Sequence, residues 1–303
     1  MDAGGENAQD CQFGNDWLTN LIAVIVFVGM SSGYAPQLYR IIKKGSSEGF
    51  SPFFLLLGST SAAAGFWNMI TMQWGVARCC GSVSLGSCIE ITAGIFQVFW
   101  QWFCFTAIFV LYILYYPERL KHEKNLSTDA AEPVKTKEWS LALVCSWVTF
   151  AHFVFSGTTT LYLMNTITPP PGPNSSLPDQ VHLWATFLGV SSAILAAIQY
   201  APQLIHTYQL KLVGALSIPM MFINAPGSVF MITGIALRPG TNWTSWFTFL
   251  VAGIMQAALL FMCIAWKFRQ RRLGIDDFGN PLVFEVPVNM DSTEDERSPL
   301  VRK

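Results

Sequence analysis

The sequence predicts an all-α membrane protein with seven transmembrane helices, arranged as two parallel three-helix repeats joined by one linker helix. Apolar residues make up 52% of the 303 residues and charged residues only 12%, about half the ~25% typical of soluble domains. Seven apolar runs with almost no charge are each long enough to cross ~30 Å of hydrocarbon as a helix of about 20 residues. A five-residue motif at the end of the first run also recurs at the end of the fifth.

The seven apolar runs are separated by polar or proline-containing segments. The stretches 21–30 and 105–116 are apolar on every side, which favours helices over the alternating strands of a membrane β-barrel. The predicted spans are Trp17–Tyr39, Phe53–Trp74, Ile91–Tyr116, Trp139–Met164, His182–Ile205, Ser217–Leu237 and Trp243–Phe268.

The distribution of basic residues predicts the orientation in the membrane. All of the 18 Lys and Arg residues except Arg78 and Arg238 follow spans one, three, five or seven, so the amino terminus should be lumenal and the carboxyl terminus cytosolic. The predicted order is a lumenal amino terminus (1–16), the first three-helix repeat (17–116), a cytosolic loop (117–138), the linker helix (139–164), a lumenal proline-rich loop (165–181), the second three-helix repeat (182–268) and a cytosolic tail (269–303).

Four cysteines fall on the predicted lumenal side, where an oxidising compartment allows disulfides. Two bridges among four cysteines allow three connectivities. Adjacent cysteines are poorly placed to bridge each other, and we expect one bridge from the amino-terminal cysteine to the second lumenal segment. The four are Cys11, Cys79, Cys80 and Cys88.

Short signals in the loops and the tail indicate a protein of the secretory route. Asn174 and Asn242 each begin a glycosylation acceptor pattern on the predicted lumenal side. In the cytosolic tail Glu296, Leu300 and Val301 are similar to an acidic dileucine sorting signal, with Val in place of the final Leu or Ile. These features predict a vacuolar or lysosomal membrane, with sorting adaptors as partners of the tail.

Two matched segments show that the chain contains an internal repeat. Residues 34–38 and 200–204 both read Tyr-Ala-Pro-Gln-Leu, at the ends of spans one and five. Residues 93–97 and 252–256 differ at a single position, in spans three and seven. Spans one and five are four crossings apart, so they enter the bilayer in the same direction and the repeats should be parallel.

The paired Pro-Gln motifs give the chain a resemblance to a known family. Pro36-Gln37 and Pro202-Gln203 lie near the predicted cytosolic ends of spans one and five, and in this the chain resembles the PQ-loop proteins. The family includes lysosomal and vacuolar amino-acid exporters, cystine transporters and the sugar-transporting SWEET proteins. The resemblance implies a transporter that moves a small polar organic solute by alternating access of its two bundles. Membrane lipid and the solute are then its expected partners.

Two other functions fit the same architecture. Some members of the family are implicated in lipid scrambling, which would use a polar groove open to the membrane. A seven-span receptor, either signalling or cargo-retrieving, has the same number of spans and the same orientation. The duplicated motif favours the transporter, because a signalling receptor needs no matched bend points.

The resemblance implies that the motif prolines act as hinges. Proline lacks a backbone N–H and crowds the carbonyl four residues earlier, which weakens the helix ladder at that point. The adjacent Gln37 and Gln203 can donate to the carbonyls that Pro36 and Pro202 leave free. A static kink is the alternative to a hinge.

Amides inside the spans are candidates for contact with a solute. Gln97 and Gln256 occupy matching positions in spans three and seven, where two facing amides could hold a polar molecule. Asn68, Asn224 and Gln101 are further candidates. The alternative for each is a hydrogen bond that merely joins two helices, worth ~0.6 kcal/mol in membrane bundles.

The remaining candidates concern gating and protons. Tyr34 and Tyr200 precede the hinges and are candidate gates. Glu90 and His152 are the plausible titrating groups within the spans. Proton-coupled relatives are expected to carry an aspartate beside the second hinge, where this chain has Gln199, so the resemblance does not extend to that feature.

The sequence predicts neither an enzyme nor a cofactor or metal site. It contains no phosphate-binding Walker loop, no nucleophile elbow and no His-Glu-x-x-His pair. Its 18 basic and 19 acidic residues nearly cancel, which gives no support for nucleic-acid binding.

Overall fold

The computed structural model describes residues 11, 17–47, 51–123, 134–167, 177–213, 218–238 and 240–275. Seven long helices dominate these residues, and two two-residue strands, β1 (His122–Glu123) and β2 (Val134–Lys135), pair antiparallel beside them. The helices in chain order are α1 (Trp17–Lys44), α2 (Pro52–Met72), α3 (Trp74–Arg78), α4 (Leu85–Leu114), α5 (Glu118–Lys121), α6 (Lys137–Thr166), α7 (Asp179–Leu210), α8 (Ile218–Ala236) and α9 (Trp243–Leu273).

Six of the seven long helices are long and apolar enough to cross a membrane: α1, α2, α4, α6, α7 and α9. The seventh, α8, has a shorter apolar part, Met221–Ala236. The prediction of an all-α membrane protein with seven helices is therefore confirmed.

Several helices extend beyond the apolar runs that predicted them. The helix α4 begins at Leu85 rather than Ile91, because the hydroxyl of Ser84 accepts a hydrogen bond from the backbone N–H of Ser87 and caps it. The helix α9 continues to Leu273 and ends at Gly274, whose φ of 65° is a conformation that glycine adopts without strain. Hydropathy marks the apolar part of a helix, whereas backbone hydrogen bonding continues into the polar flanks.

Each repeat places its third helix between its first and second. In the first unit α4 packs against α1 and α2, and in the second unit α9 packs against α7 and α8. The two units meet mainly along two pairs of helices, α2 with α7 and α1 with α8, and α2 also contacts α9. In the two repeats α1 corresponds to α7, and α2 corresponds to α8. Swapping the repeats therefore turns each of the two main helix pairs into the other, as an approximate twofold axis between the units requires. The linker helix α6 packs on α2.

The contacts within each unit show that its first and third helices are parallel. Asn20 bonds to Glu90 and Ser31 to Trp100, so residue numbers rise together along α1 and α4. The corresponding pairs in α7 and α9 are Gly189 with Thr248 and Tyr200 with Gln256.

The contacts of α2 fix the direction of one unit relative to the other. Ser61 bonds to Ser192 and Asn68 to Ala185, so α2 and α7 run antiparallel. The aromatic pairs Phe54 with Phe105 and Phe66 with Phe99 show that α2 is also antiparallel to α4. The helices α1, α4, α7 and α9 therefore share one direction, and the parallel arrangement predicted for the repeats is confirmed.

The two ends of the helix bundle differ chemically. One end, called the disulfide end below, carries bridges from Cys11 to Cys79 and from Cys80 to Cys88. The sequence left this connectivity open. The opposite end, called the motif end, is the one towards which the Pro-Gln motifs lie in α1 and α7.

A single hydrophobic core joins the two units in the half of the bundle near the disulfide end. Ile22 and Val26 of α1 are buried in one cluster with Met231 and Ile235 of α8. The same cluster contains Leu188 of α7 together with buried residues of α2. The two units are therefore packed together as one body at this end.

Near the motif end each unit has a core of its own. Ile41, Leu55 and Ile108 belong to a cluster that contains only residues of the first unit and its linker helix, among those the structure describes. Met221 and Leu259 belong to a separate cluster in the second unit. Among the described residues, the units thus share one buried apolar cluster in one half of the bundle and have separate clusters in the other.

The packing of α6 on α2 gives a test of the fold. A Cβ atom added at Gly157 would lie 2.6 Å from Cζ2 of Trp67. Gly157→Ala should therefore destabilise the protein by about 1–3 kcal/mol through overpacking, seen as a lower midpoint of thermal unfolding in detergent. Gly29→Ala is the matched control, because nothing lies within 4 Å of its added Cβ. Equal midpoints for the two variants would contradict this packing.

Candidate functional site

A cavity of about 60 Å³ lies between the two units. This volume is small beside the ~300–1,000 Å³ of typical ligand pockets, so the passage between the units is narrow in this conformation. The lining comes from α1, α2 and α4 of the first unit and from α7 and α9 of the second. The lining residues are Tyr34, Gly58, Ser61, Ala62, Gly65, Val98, Gln101, Phe105, Ser192, Ala196, Gln199, Tyr200, Thr248, Phe249 and Ala252.

The polar groups that line the cavity are hydroxyls and amides. None of the lining side chains is Asp, Glu, Lys, Arg or His. Such a lining offers hydrogen bonds to a solute but no full charge, which suits a molecule of zero net charge. The polar members are Tyr34, Ser61, Gln101, Ser192, Gln199, Tyr200 and Thr248.

Gln199 is a lining residue with a buried hydrogen-bond donor that is not used among the described residues. Only 7% of it is exposed, and its Nε2 is buried without a hydrogen-bond partner among the described residues. A buried donor without a partner costs about 1–3 kcal/mol, so a solute that accepts its hydrogens would be bound favourably. Gly58 makes room for this amide, since an added Cβ would lie 2.6 Å from Nε2.

Two serines join α2 to α7 at the edge of the cavity. The hydroxyl of Ser61 donates to the backbone oxygen of Ser192 over 2.8 Å, and the hydroxyl of Ser192 donates to the backbone oxygen of Ser61 over 2.7 Å. This reciprocal pair fixes the spacing of the two helices. This pair could not be predicted from the sequence, because a serine in a membrane helix also bonds to the backbone of its own helix.

A layer of four aromatic rings separates the cavity from the motif end. Tyr34 lies edge-on to Phe105 at 6.4 Å, and Phe54 contacts Phe105 at 6.0 Å and Tyr200 at 6.4 Å between ring centroids. The Nε2 of Gln256 donates to the Tyr200 hydroxyl over 2.7 Å and holds that ring in place. The candidate gate tyrosines therefore lie in one layer with two phenylalanines that the sequence analysis did not single out.

Three of the candidate amides, Gln256, Gln97 and Asn68, make contacts between helices instead of lining the cavity. The Nε2 of Gln97 donates to the backbone oxygen of Ala23 over 2.9 Å. The Nδ2 of Asn68 donates to the backbone oxygen of Ala185 over 2.7 Å and also to Thr244.

Asn224 also lies outside the cavity, on the contact between α8 and α1. Its Oδ1 lies 3.4 Å from where a Cβ of Gly33 would be. Among the five amides that the sequence analysis named for solute contact, Gln101 is the one that lines the cavity.

The motif prolines lie inside continuous helices, close to the aromatic layer. Pro36 is part of α1 and Pro202 part of α7, each two residues beyond a gate tyrosine. Both prolines are exposed on the outer surface of the bundle, and Gln37 and Gln203 are half-buried. A bend at either proline would thus act at the level of the aromatic layer, and the hinge stays a prediction.

Glu90 belongs to a polar cluster at the disulfide end. Its Oε1 accepts a hydrogen bond from Asn20 Nδ2 over 2.7 Å, and its backbone oxygen accepts one from Arg238 Nη1 over 3.0 Å. Burial lowers the pKa of Arg238, an effect that the nearby charge of Glu90 opposes. Arg238 therefore connects the second unit to α4 of the first.

The other candidates lie away from the cavity. The Nδ1 of His152 is buried without a hydrogen-bond partner in the described part of the chain. Asn242 caps α9, where its side chain accepts a hydrogen bond from the backbone N–H of Thr244 over 2.9 Å, and its glycosylation stays a prediction. Four predicted residues lie outside the described residues: Asn174, Glu296, Leu300 and Val301.

Comparison with known proteins agrees with the duplicated architecture. Residues 18–76 and 184–244 match the PQ loop repeat. An uncharacterized protein of Schizosaccharomyces pombe is 27% identical over 261 residues, which cover 83% of this chain and 81% of the yeast protein.

The aromatic layer predicts how the cavity can be reached. In an Ala252→Cys variant the new thiol lies in the cavity, and Phe54→Ala should raise its rate of labelling by a methanethiosulfonate reagent severalfold, because one of the four rings is removed. Phe53→Ala is the matched control, since Phe53 is 53% exposed on the outer surface. If both substitutions change the rate alike, the ring of Phe54 does not close the cavity.

Proposed function

Because this chain is a membrane protein of the PQ-loop family, we propose that it is a transporter that moves a small polar organic solute between a lumen and the cytosol. One observation supports this proposal above others: a cavity with an uncharged polar lining lies between the two repeats. Transporters built from repeats hold their substrates at such an interface.

The unequal closure of the two ends fits alternating access. At the disulfide end a shared core of several layers closes the passage, whereas four rings separate the cavity from the motif end. We infer that the units rock so that the shared core opens while the motif end closes. Bending at Pro36 and Pro202 would accompany this motion, with Tyr34 and Tyr200 as moving parts of the gate.

The lining suggests which residues bind the solute. Gln199 and Gln101 would exchange hydrogen bonds with it, and Gln199 has a buried donor to offer. Gln97 and Asn68 would hold helices together, and Gln256 would hold the gate through Tyr200. An amino acid zwitterion or a sugar satisfies the requirement for zero net charge.

The lining also bears on coupling to protons. Glu90 and His152 are not among the residues that line the cavity. Coupling through either residue would therefore have to act through the packing of helices instead of direct contact with the solute. Facilitated diffusion requires no such link and is the simpler mechanism.

The proposed orientation places the disulfide end in the lumen. Two disulfides form in an oxidising compartment, and most basic residues belong to segments at the opposite end. The tail signal supports a vacuolar or lysosomal membrane, and Asn174 would then be open to glycosylation in the lumen.

Reconstitution separates the transporter from its rivals. Purified protein in liposomes should accelerate the movement of a radiolabelled amino acid or sugar, and the same vesicles should be assayed for fluorescent lipid. Movement of lipid alone would favour a scramblase, and the absence of any flux would favour a receptor.

Gln199 provides the sharpest test of the binding site. Gln199→Leu should reduce the transport rate about tenfold or more, because the substitution removes a hydrogen-bond donor from a buried site, while the thermal unfolding midpoint stays close to that of the unmodified protein. Gln209→Leu is the matched control, since Gln209 lies on the same helix but is exposed. Full transport by Gln199→Leu would show that the solute does not contact this amide.

A further inference from the structure

Arg238 is the one charged side chain of the polar cluster that comes from the second unit. It lies two residues beyond the end of α8 and is only 6% exposed. Its Cδ and Nε lie against α4, at 2.7 Å and 3.1 Å from where a Cβ of Gly94 would be. The glycine therefore leaves the groove in which the arginine side chain lies.

The guanidinium group of Arg238 uses only part of its hydrogen-bonding capacity. Nη1 donates to the backbone oxygen of Glu90 over 3.0 Å. Nε and Nη2 are buried and have no hydrogen-bond partner among the described residues. A buried cation with unpaired donors is costly, and a protein gains no stability from holding one in this position.

Nε and Nη2 form the edge of the guanidinium group with which arginine side chains bind carboxylates. Nε and Nη2 point the same way, and their N–H groups match the two oxygens of a carboxylate in a bidentate pair. The Glu90 carboxylate belongs to the residue whose backbone oxygen binds Nη1, but its Oε1 accepts a hydrogen bond from Nδ2 of Asn20. The edge is thus fixed in position by Nη1, and no residue in the described part of the chain bonds to it.

The location of this edge connects it to the proposed transport cycle. Arg238 contacts α4 of the first unit at the disulfide end. Separation of the units at this end would expose the edge to a solute from the lumen, together with the Glu90 carboxylate.

We propose that Arg238 binds the carboxylate of a zwitterionic amino acid as it passes the disulfide end, with Glu90 beside its ammonium group. This inference rests on the proposed transport function and names its substrate class. An arginine and a glutamate at the entrance favour a solute that carries both charges, and the uncharged cavity requires that these charges cancel.

The unmodified protein tests the substrate class. Liposomes that contain it should take up radiolabelled L-alanine, L-leucine or L-glutamine. For a transported amino acid, the free acid should compete at least about tenfold better than its carboxamide, which cannot form the bidentate charged pair. Equal competition by acid and carboxamide would overturn the inference, as would uptake of glucose without uptake of any amino acid.

Variants of Arg238 test the residue itself. Arg238→Gln should raise KM for the amino acid about tenfold or more and reduce the preference for the acid over the carboxamide several-fold, leaving only the part that the uncharged cavity imposes on a net cation. Arg238→Lys should retain part of that preference, because it keeps the charge but not the paired donors. Arg78→Gln is the matched control, an exposed arginine at the same end, and should leave both values unchanged.

The outcomes separate the two proposals. An unchanged preference in Arg238→Gln would overturn the role of Arg238 while leaving the transporter intact. If that variant does not fold, the competition experiment on the unmodified protein decides the substrate class. Absence of flux for every solute would overturn the transport function and this inference with it.

Discussion

Among the described residues, the one buried apolar cluster that both units share lies in the half of the bundle near the disulfide end, and the position of the cavity follows from this. Within lipid the hydrophobic effect contributes little to the association of helices, so the units are held together by close packing and hydrogen bonds. Ile22 and Val26 pack with Met231 and Ile235 near the disulfide end. Towards the motif end the cores become separate. Beyond the shared core, towards the motif end, polar residues can therefore line a cavity between the units without interrupting an apolar core.

The approximate symmetry of the repeats is broken where function requires it. The spacing that carries Tyr34 onto Tyr200 also carries Gly33 onto Gln199 and Gly58 onto Asn224. In two contacts between the units, an amide of the second unit faces a glycine of the first: Asn224 faces Gly33, and Gln199 faces Gly58. The amide lies on the second helix of its unit in one contact and on the first helix in the other. Of the two amides, Gln199 lines the cavity and Asn224 does not. The two similar units therefore form one site, with its buried amide on one side of the approximate twofold axis.

The sequence was sufficient for the architecture because membrane helices are defined by apolar length. The span count, the parallel repeats and the matched tyrosines at the cavity all followed from the pattern of residues. The direction of each side chain did not follow, because a helix that is apolar on every side has no amphipathic face to orient it. Asn68 and Gln97 therefore looked like solute ligands, although each bonds to a backbone oxygen of a neighbouring helix. Gln199 has the same chemistry, but it lines the cavity, and its buried Nε2 has no hydrogen-bond partner among the described residues.

The most direct test of the account is whether the shared core must open during transport. Ile22 and Gly234 are adjacent across the two units, so cysteines at both positions can be joined by a short bismaleimide. We predict that this cross-link stops solute flux in liposomes, whereas a monofunctional maleimide at the same cysteines does not. A cross-link within the first unit, between positions 31 and 100, should leave flux unchanged. Undiminished transport with positions 22 and 234 joined would contradict the account.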